Sequence, residues 1–166
     1  MQDINPNELR LVAMNLLARR EHLRGELAQK LKQKLARSGE SAPDPERAAE
    51  EIEAVLDQLA AENLQSDQRY AESYVRSRSS KGYGPDRIRQ ELREKGVDGD
   101  LQRSALESLE LDWVSLAREV RLKKFGSELP RDFKERARQL RFLNYRGFGS
   151  EFASAALEGA DYDDGC

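Results

Sequence analysis

The sequence predicts an all-α protein made of tandem three-helix modules, elongated rather than round. Three observations predict it. Apolar residues recur at i, i+3, i+4, i+7 along most of the chain, and no β-alternation of useful length interrupts them. A segment near residue 90 repeats near residue 141, which is the mark of stacked units. Of the 166 residues, 38% are hydrophobic and 36% charged, so core material is scarce and surface material plentiful.

The first module spans 1–65. Its first helix carries Leu9, Val12, Ala13 and Leu16, its second Leu27, Leu31 and Leu35, and its third Ile52, Val55, Leu56 and Leu59. Ser38–Arg47 reads as a loop, because Pro43 and Pro45 block helix continuation. The second module, 66–110, starts at Ser66 or Asp67, either of which can cap. Tyr70, Tyr74 and Val75 mark its first helix, Ile88 and Leu92 its second, and Leu101, Ala105 and Leu109 its third. The third module, 111–158, opens on Asp112 as N-cap, with Leu111 and Leu116 placed to staple across it. Trp113, Leu116, Ala117 and Val120 form its first stripe, ended by Phe125-Gly126. Pro130 is expected to begin the next helix, with Phe133, Ala137, Leu140 and Leu143 facing inward. Phe152, Ala155 and Ala156 line the last helix, and 159–166 is a short acidic tail.

The repeat aligns Leu92 with Leu143, Lys95-Gly96-Val97 with Arg146-Gly147-Phe148, Leu101 with Phe152, and Ala105-Leu106-Glu107 with Ala156-Leu157-Glu158, all at an offset of 51. A helix ends in a cation and a glycine, an apolar residue anchors the turn, and a second helix follows. Asp98 and Ser150 are the expected caps of those second helices.

Chemistry-bearing residues are few. The one cysteine, Cys166, is last in the chain, so an internal disulfide is impossible. The one histidine, His22, is expected to be solvated or to cap a helix. No P-loop, HExxH, CxxC or EF-hand pattern occurs. Glu46, Glu50, Glu51 and Glu53 read as a solvated face beside an apolar stripe. These absences point to a binding protein with no catalytic residues, no metal and no cofactor. No run approaches the roughly 18–20 apolar residues that span a bilayer, and no signal peptide is evident, which implies a cytoplasmic protein without a membrane partner.

The net charge of −3 hides alternation: 1–39 is +4, 40–67 is −8, 68–95 is +4, 96–111 is −3, 112–147 is +5 and 148–166 is −5. The most informative stretch, SRSSKGYGPDRIRQELREKG (Ser77–Gly96), sets a glycine-proline helix start among cations. Gly82, Gly84, Pro85, Gly96 and Gly147 read as frame, since glycine tolerates positive φ and proline fits the first helical position.

That stretch resembles the central signature of the RecX family of recombinase regulators. LDWVSLAREVRLKKFG (Leu111–Gly126) and RQLRFLNYRGF (Arg138–Phe148) resemble the family's third module, and LLARREHLRGELAQKL (Leu16–Leu31) its opening helix pair. The resemblance covers about residues 8–158. It implies three tandem three-helix modules in a curved, elongated body. It further implies a regulator of RecA that lies in the groove of the RecA–single-stranded-DNA filament, across protomers. Such a regulator suppresses filament extension, ATP hydrolysis, strand exchange and coprotease activity, within recombination, DNA repair and the SOS response. A monomer is expected, with weak contact to single- or double-stranded DNA. The cations expected to touch the filament are Arg76, Arg78, Lys81, Arg87 and Arg89, then Arg138, Arg141 and Arg146. The alternative is a direct DNA-binding module of helix-turn-helix type. One departure stands out: Leu23 occupies the place where the family puts a capping serine, and Gly25 falls in the first turn. Each change costs about 1 kcal/mol and would leave the first module less rigid.

Overall fold

The computed structural model describes residues 3–37, 39 and 42–158. The expected tail, 159–166, lies outside them. Among the described residues there are nine helices and no strands. They are α1 (Pro6–Leu17), α2 (Arg24–Ala36), α3 (Pro45–Ala61), α4 (Asp67–Ser80), α5 (Pro85–Glu94), α6 (Gly99–Ser108), α7 (Trp113–Phe125), α8 (Phe133–Tyr145) and α9 (Ser150–Leu157). The chain forms two compact units, residues 1–70 and 71–166, with the boundary inside α4.

In the first unit, Leu9 and Ala13 of α1, Leu27 and Leu31 of α2, and Ile52, Val55, Leu56 and Leu59 of α3 make one apolar core. The stripe spacing of each helix dictates this, because residues three and four apart share a face. The α2 start is not left uncapped. Leu23 offers no side-chain acceptor, but the Asp67 carboxylate accepts the Arg24 backbone N–H at 2.8 Å. The cap expected to be missing comes from 43 residues downstream. Ser66 is the residue that caps α4, accepting the Arg69 N–H at 3.1 Å. The Arg24 guanidinium donates to Glu53 at 2.5 Å and Asp57 at 2.6 Å on α3, tying α2 to α3.

His22 is buried, not solvated. Its Nε2 lies 3.3 Å from the Lys30 ammonium and its Nδ1 lies 3.0 Å from the Arg20 carbonyl. An ammonium can only donate, so Nε2 accepts and Nδ1 carries the proton. The ring is therefore neutral in this arrangement. Burial lowers its pKa, and the nearby charges of Arg20 and Lys30 act in the same direction against the hydrogen bond to Arg20.

In the second unit, Ala71 and Val75, Ile88 and Leu92, and Ala105 and Leu106 are buried along α4, α5 and α6. Ala117, Leu143, Phe148, Ala153 and Ala156 form the α7–α9 core. The sequence repeat is a repeat of turn geometry. Val97 N–H reaches the Leu92 carbonyl and Phe148 N–H the Leu143 carbonyl, both at 3.0 Å, over Gly96 at φ +89° and Gly147 at φ +101°. These are left-handed helix endings of the Schellman kind, each sealed by the apolar residue after the glycine.

Four expectations fail here. The loop expected over 38–47 ends at Asp44, which caps α3 by accepting the Arg47 N–H at 3.2 Å, so Pro45 starts that helix instead of blocking it. α8 begins at Phe133 on the Asp132 cap, not at Pro130, and this puts Phe133 in the first turn, 85% exposed rather than inward. Gly149, without a side-chain bond, occupies the N-cap position of α9, and Ser150 is the first helical residue. Gly84 has φ −89°, so its glycine is not required by backbone conformation.

Candidate binding surface at the Gly84–Gly147 joint

The turn from α4 to α5 meets the turn from α8 to α9, backbone to backbone. Gly84 N–H donates to the Arg146 carbonyl at 2.8 Å, and Asp86 N–H donates to the Gly147 carbonyl at 3.0 Å. Helix α5 has no side-chain cap, so one of its orphan first-turn donors is satisfied by a carbonyl from 61 residues downstream. A Cβ on Gly84 would lie 2.5 Å from the Gly147 carbonyl carbon and oxygen. A Cβ on Gly147 would overlap Arg87, 2.7 Å from its backbone nitrogen. Two glycines are therefore required because two backbones touch.

Three arginines converge on Tyr83 beside this joint. The guanidinium carbons of Arg78, Arg87 and Arg146 lie 3.8, 4.7 and 4.8 Å from its ring centroid. Each is within cation–π range. Glu91 is the counter-charge. It accepts from Tyr74 Oη at 2.7 Å and Arg78 Nη2 at 2.8 Å, and stands 3.5 Å from Arg87 Nε. Burial raises the Glu91 pKa, but the hydrogen bonds from Arg78 and Tyr74 outweigh it and hold the carboxyl below the ordinary range. Arg87 also donates to the Tyr145 carbonyl at 3.3 Å and lies over the Tyr145 ring, and Arg146 donates to the Lys81 carbonyl at 3.5 Å.

Of the cations singled out from the sequence, Arg78, Lys81, Arg87 and Arg146 are brought together here. The others lie elsewhere. Arg89 pairs with Asp86 at 3.1 Å, and Arg138 pairs with Glu135 at 3.3 Å while covering the Phe125 ring. Arg76, Lys81 and Arg141 are exposed and carry no ion pair among the described residues. Sequence reasoning missed Tyr83 as the platform and Glu91 as the anchor. A tyrosine between two glycines, with arginines on both sides, was the available signal.

Family models described as "RecX, second three-helix domain" and "RecX, third three-helix domain" match residues 66–106 and 110–157. The chain belongs to the RecX family. The regulatory protein RecX of Pseudomonas entomophila (strain L48) is 48% identical over 160 residues, covering 96% of each chain. That of Halorhodospira halophila (strain DSM 244 / SL1) is 46% identical over 156 residues, covering 94% of this chain and 90% of its own. The crystal structure of RecX from Lactobacillus salivarius has the same fold, with TM-score 0.73 and 21% identity over 95% of this chain and 97% of its own. Against that family background the joint links the two matched domains: Gly84 and Tyr83 lie in the second, Arg146 and Gly147 in the third. Among the described residues no group of three or more His, Cys, Asp or Glu is arranged to hold a metal, and no helix is long and apolar enough to cross a membrane.

Proposed function

We propose that this chain regulates RecA by binding the RecA filament on single-stranded DNA, and that it lowers filament extension, ATP hydrolysis, strand exchange and coprotease activity. The observation that supports this reading is the cation-rich face around the Gly84–Gly147 joint, in a chain of the RecX family. The binding residues divide by what they already touch. Arg78, Arg87 and Arg146 hold the face in shape through Tyr83 and Glu91. Arg76, Lys81 and Arg141, exposed and unpaired with carboxylates, contact the filament. Arg89 and Arg138 exchange a weak surface ion pair for a partner carboxylate or phosphate at small cost, since exposed pairs contribute about 0–1 kcal/mol. Three modules, 1–65, 66–110 and 111–158, give separate weak contacts on one chain, which reinforce one another through effective concentration.

The test is RecA turnover of ATP on single-stranded DNA, with this protein added from substoichiometric to equimolar amounts. Turnover and filament length both fall if the reading holds. Unchanged turnover and unchanged filament length reject it.

A further inference from the structure

Beside the joint, the second unit carries a groove of about 330 Å³ between the Ser79–Gly82 turn, the second half of α7 and the end of α8. Its wall is close-fitted: a Cβ on Gly82 would lie 3.0 Å from Val120 Cγ2. Lys81, Lys123, Lys124 and Arg146 line it, with Glu119 the one carboxylate among its described lining residues. The groove therefore has a net charge of about +3 in a protein whose net charge is −3. Leu116, Val120 and Phe142 supply apolar lining. Lys81, Lys123 and Lys124 carry no ion pair among the described residues. Cations at the end of α7 suit the helix dipole, which accounts for Lys123 and Lys124 singly. It does not account for Lys81 and Arg146, which arrive from two other turns to face them.

We infer that this groove docks an acidic peptide segment in which an apolar side chain lies between carboxylates. The apolar lining takes the side chain, and the four cations take the flanking carboxylates. A nucleic-acid strand fits less well. Strand-binding channels offer free aromatic faces for stacking. Here Arg146 and Lys124 lie 5.5 and 5.7 Å from the Phe142 ring centroid, and the Phe125 ring packs edge-on to it at 5.3 Å. The groove takes the acidic segment whether or not the RecA reading holds, so the two stand or fall separately.

The experiment is fluorescence anisotropy on the full chain with three fluorescein-labelled peptides, Asp-Asp-X-Asp-Asp with X as Leu, Val or Phe. Their Asn-for-Asp counterparts and labelled oligothymidine serve as comparisons, and no RecA is present. At least one acidic peptide binds at micromolar concentration, its Asn counterpart binds at least tenfold more weakly, and Lys123→Glu/Lys124→Glu weakens the acidic peptide at least tenfold. Lys32→Glu/Lys34→Glu, on α2 of the first unit, leaves binding within twofold. Circular dichroism and urea midpoints check that both variants fold. Absence of binding by all three peptides, or binding indifferent to Lys123→Glu/Lys124→Glu in a folded variant, overturns the inference. So does oligothymidine binding that this variant abolishes while the peptides fail, which assigns the groove to nucleic acid. A dimer that this variant dissolves, without peptide binding, assigns it to a second copy and equally overturns the inference.

Discussion

At the scale of single residues, the glycines differ in why they are glycine, and stability measurements separate the reasons. Gly96 is left-handed at φ +89° with open space around its Cβ position, so Gly96→Ala costs about 1 kcal/mol of backbone strain. Gly147 is left-handed and also touches Arg87, so Gly147→Ala costs about 3 kcal/mol or more. Gly84 has ordinary φ, yet Gly84→Ala costs about 2–3 kcal/mol, because the added methyl meets the Gly147 backbone. Gly25, in the first turn of α2 with nothing near its Cβ position, accepts alanine with a gain of about 0.5 kcal/mol. Urea midpoints order the four variants 147, 84, 96, 25 from most to least destabilised. A Gly84→Ala midpoint equal to wild type would refute the close-approach account. His22 gives a second residue-scale prediction. Its folded pKa lies below the unfolded value of about 6.5. As pH falls through 6.5 the unfolded chain takes up a proton that the folded chain resists, so stability falls. The first unit therefore loses stability as pH falls through about 6.5, and His22→Gln flattens that loss. A pH response that persists in the variant would assign it to another group.

At the scale of elements, helix existence was legible and helix edges were less so. Apolar residues three, four or seven apart marked each of the nine described helices, because an apolar face must be buried and these spacings share a face at period 3.6. The 51-residue repeat was legible for a deeper reason: Leu92–Val97 and Leu143–Phe148 encode the same hydrogen-bonded ending. Part of what failed depends on distant partners. Asp67 caps α2, a fact absent from the neighbourhood of Leu23. Asp67→Ala therefore removes a cap from a helix 43 residues away and lowers first-unit stability by about 1 kcal/mol. A loss confined to the α4 start, with the α2 amides keeping their hydrogen-exchange protection, would refute that link. Pro130 looked like a helix start, but Asp132 accepts the Glu135 N–H at 2.7 Å and sets the start later, which turns Phe133 to solvent. His22 is expected from sequence to be solvated or to cap a helix, because its position between Glu21 and Leu23 carries no sign of burial; only Gln65, Lys30 and the Arg20 carbonyl around it reveal its place. The site followed the same pattern. Cations could be counted from the sequence, but which of them face one another could not, because the joint brings together residues about sixty apart.

At the scale of the whole molecule, the cations fall into two groups with different predicted losses. Arg78 is committed inward: it bonds Glu91, covers Tyr83 and is largely withdrawn from solvent. Its replacement removes one of the two strong donors to the half-buried Glu91 carboxylate, so Arg78→Ala lowers second-unit stability and lowers RecA regulation only as a consequence. Arg76 and Arg141 are exposed and carry no ion pair among the described residues, so Arg76→Glu/Arg141→Glu leaves the urea midpoint within about 0.5 kcal/mol of wild type, as surface changes do. If these two residues meet the filament, the same variant needs about tenfold or more protein to reach half-inhibition of RecA ATP hydrolysis. The loss also shrinks as salt is raised, because long-range steering between exposed charges is screened. The two variants together separate a folding role from a binding role. A double variant that inhibits like wild type at low salt removes Arg76 and Arg141 from the contact and moves the search to Lys81 and the groove beside it. An Arg78→Ala protein that keeps its midpoint while losing inhibition reverses the assignment, making the Tyr83 cluster itself the surface that the filament touches.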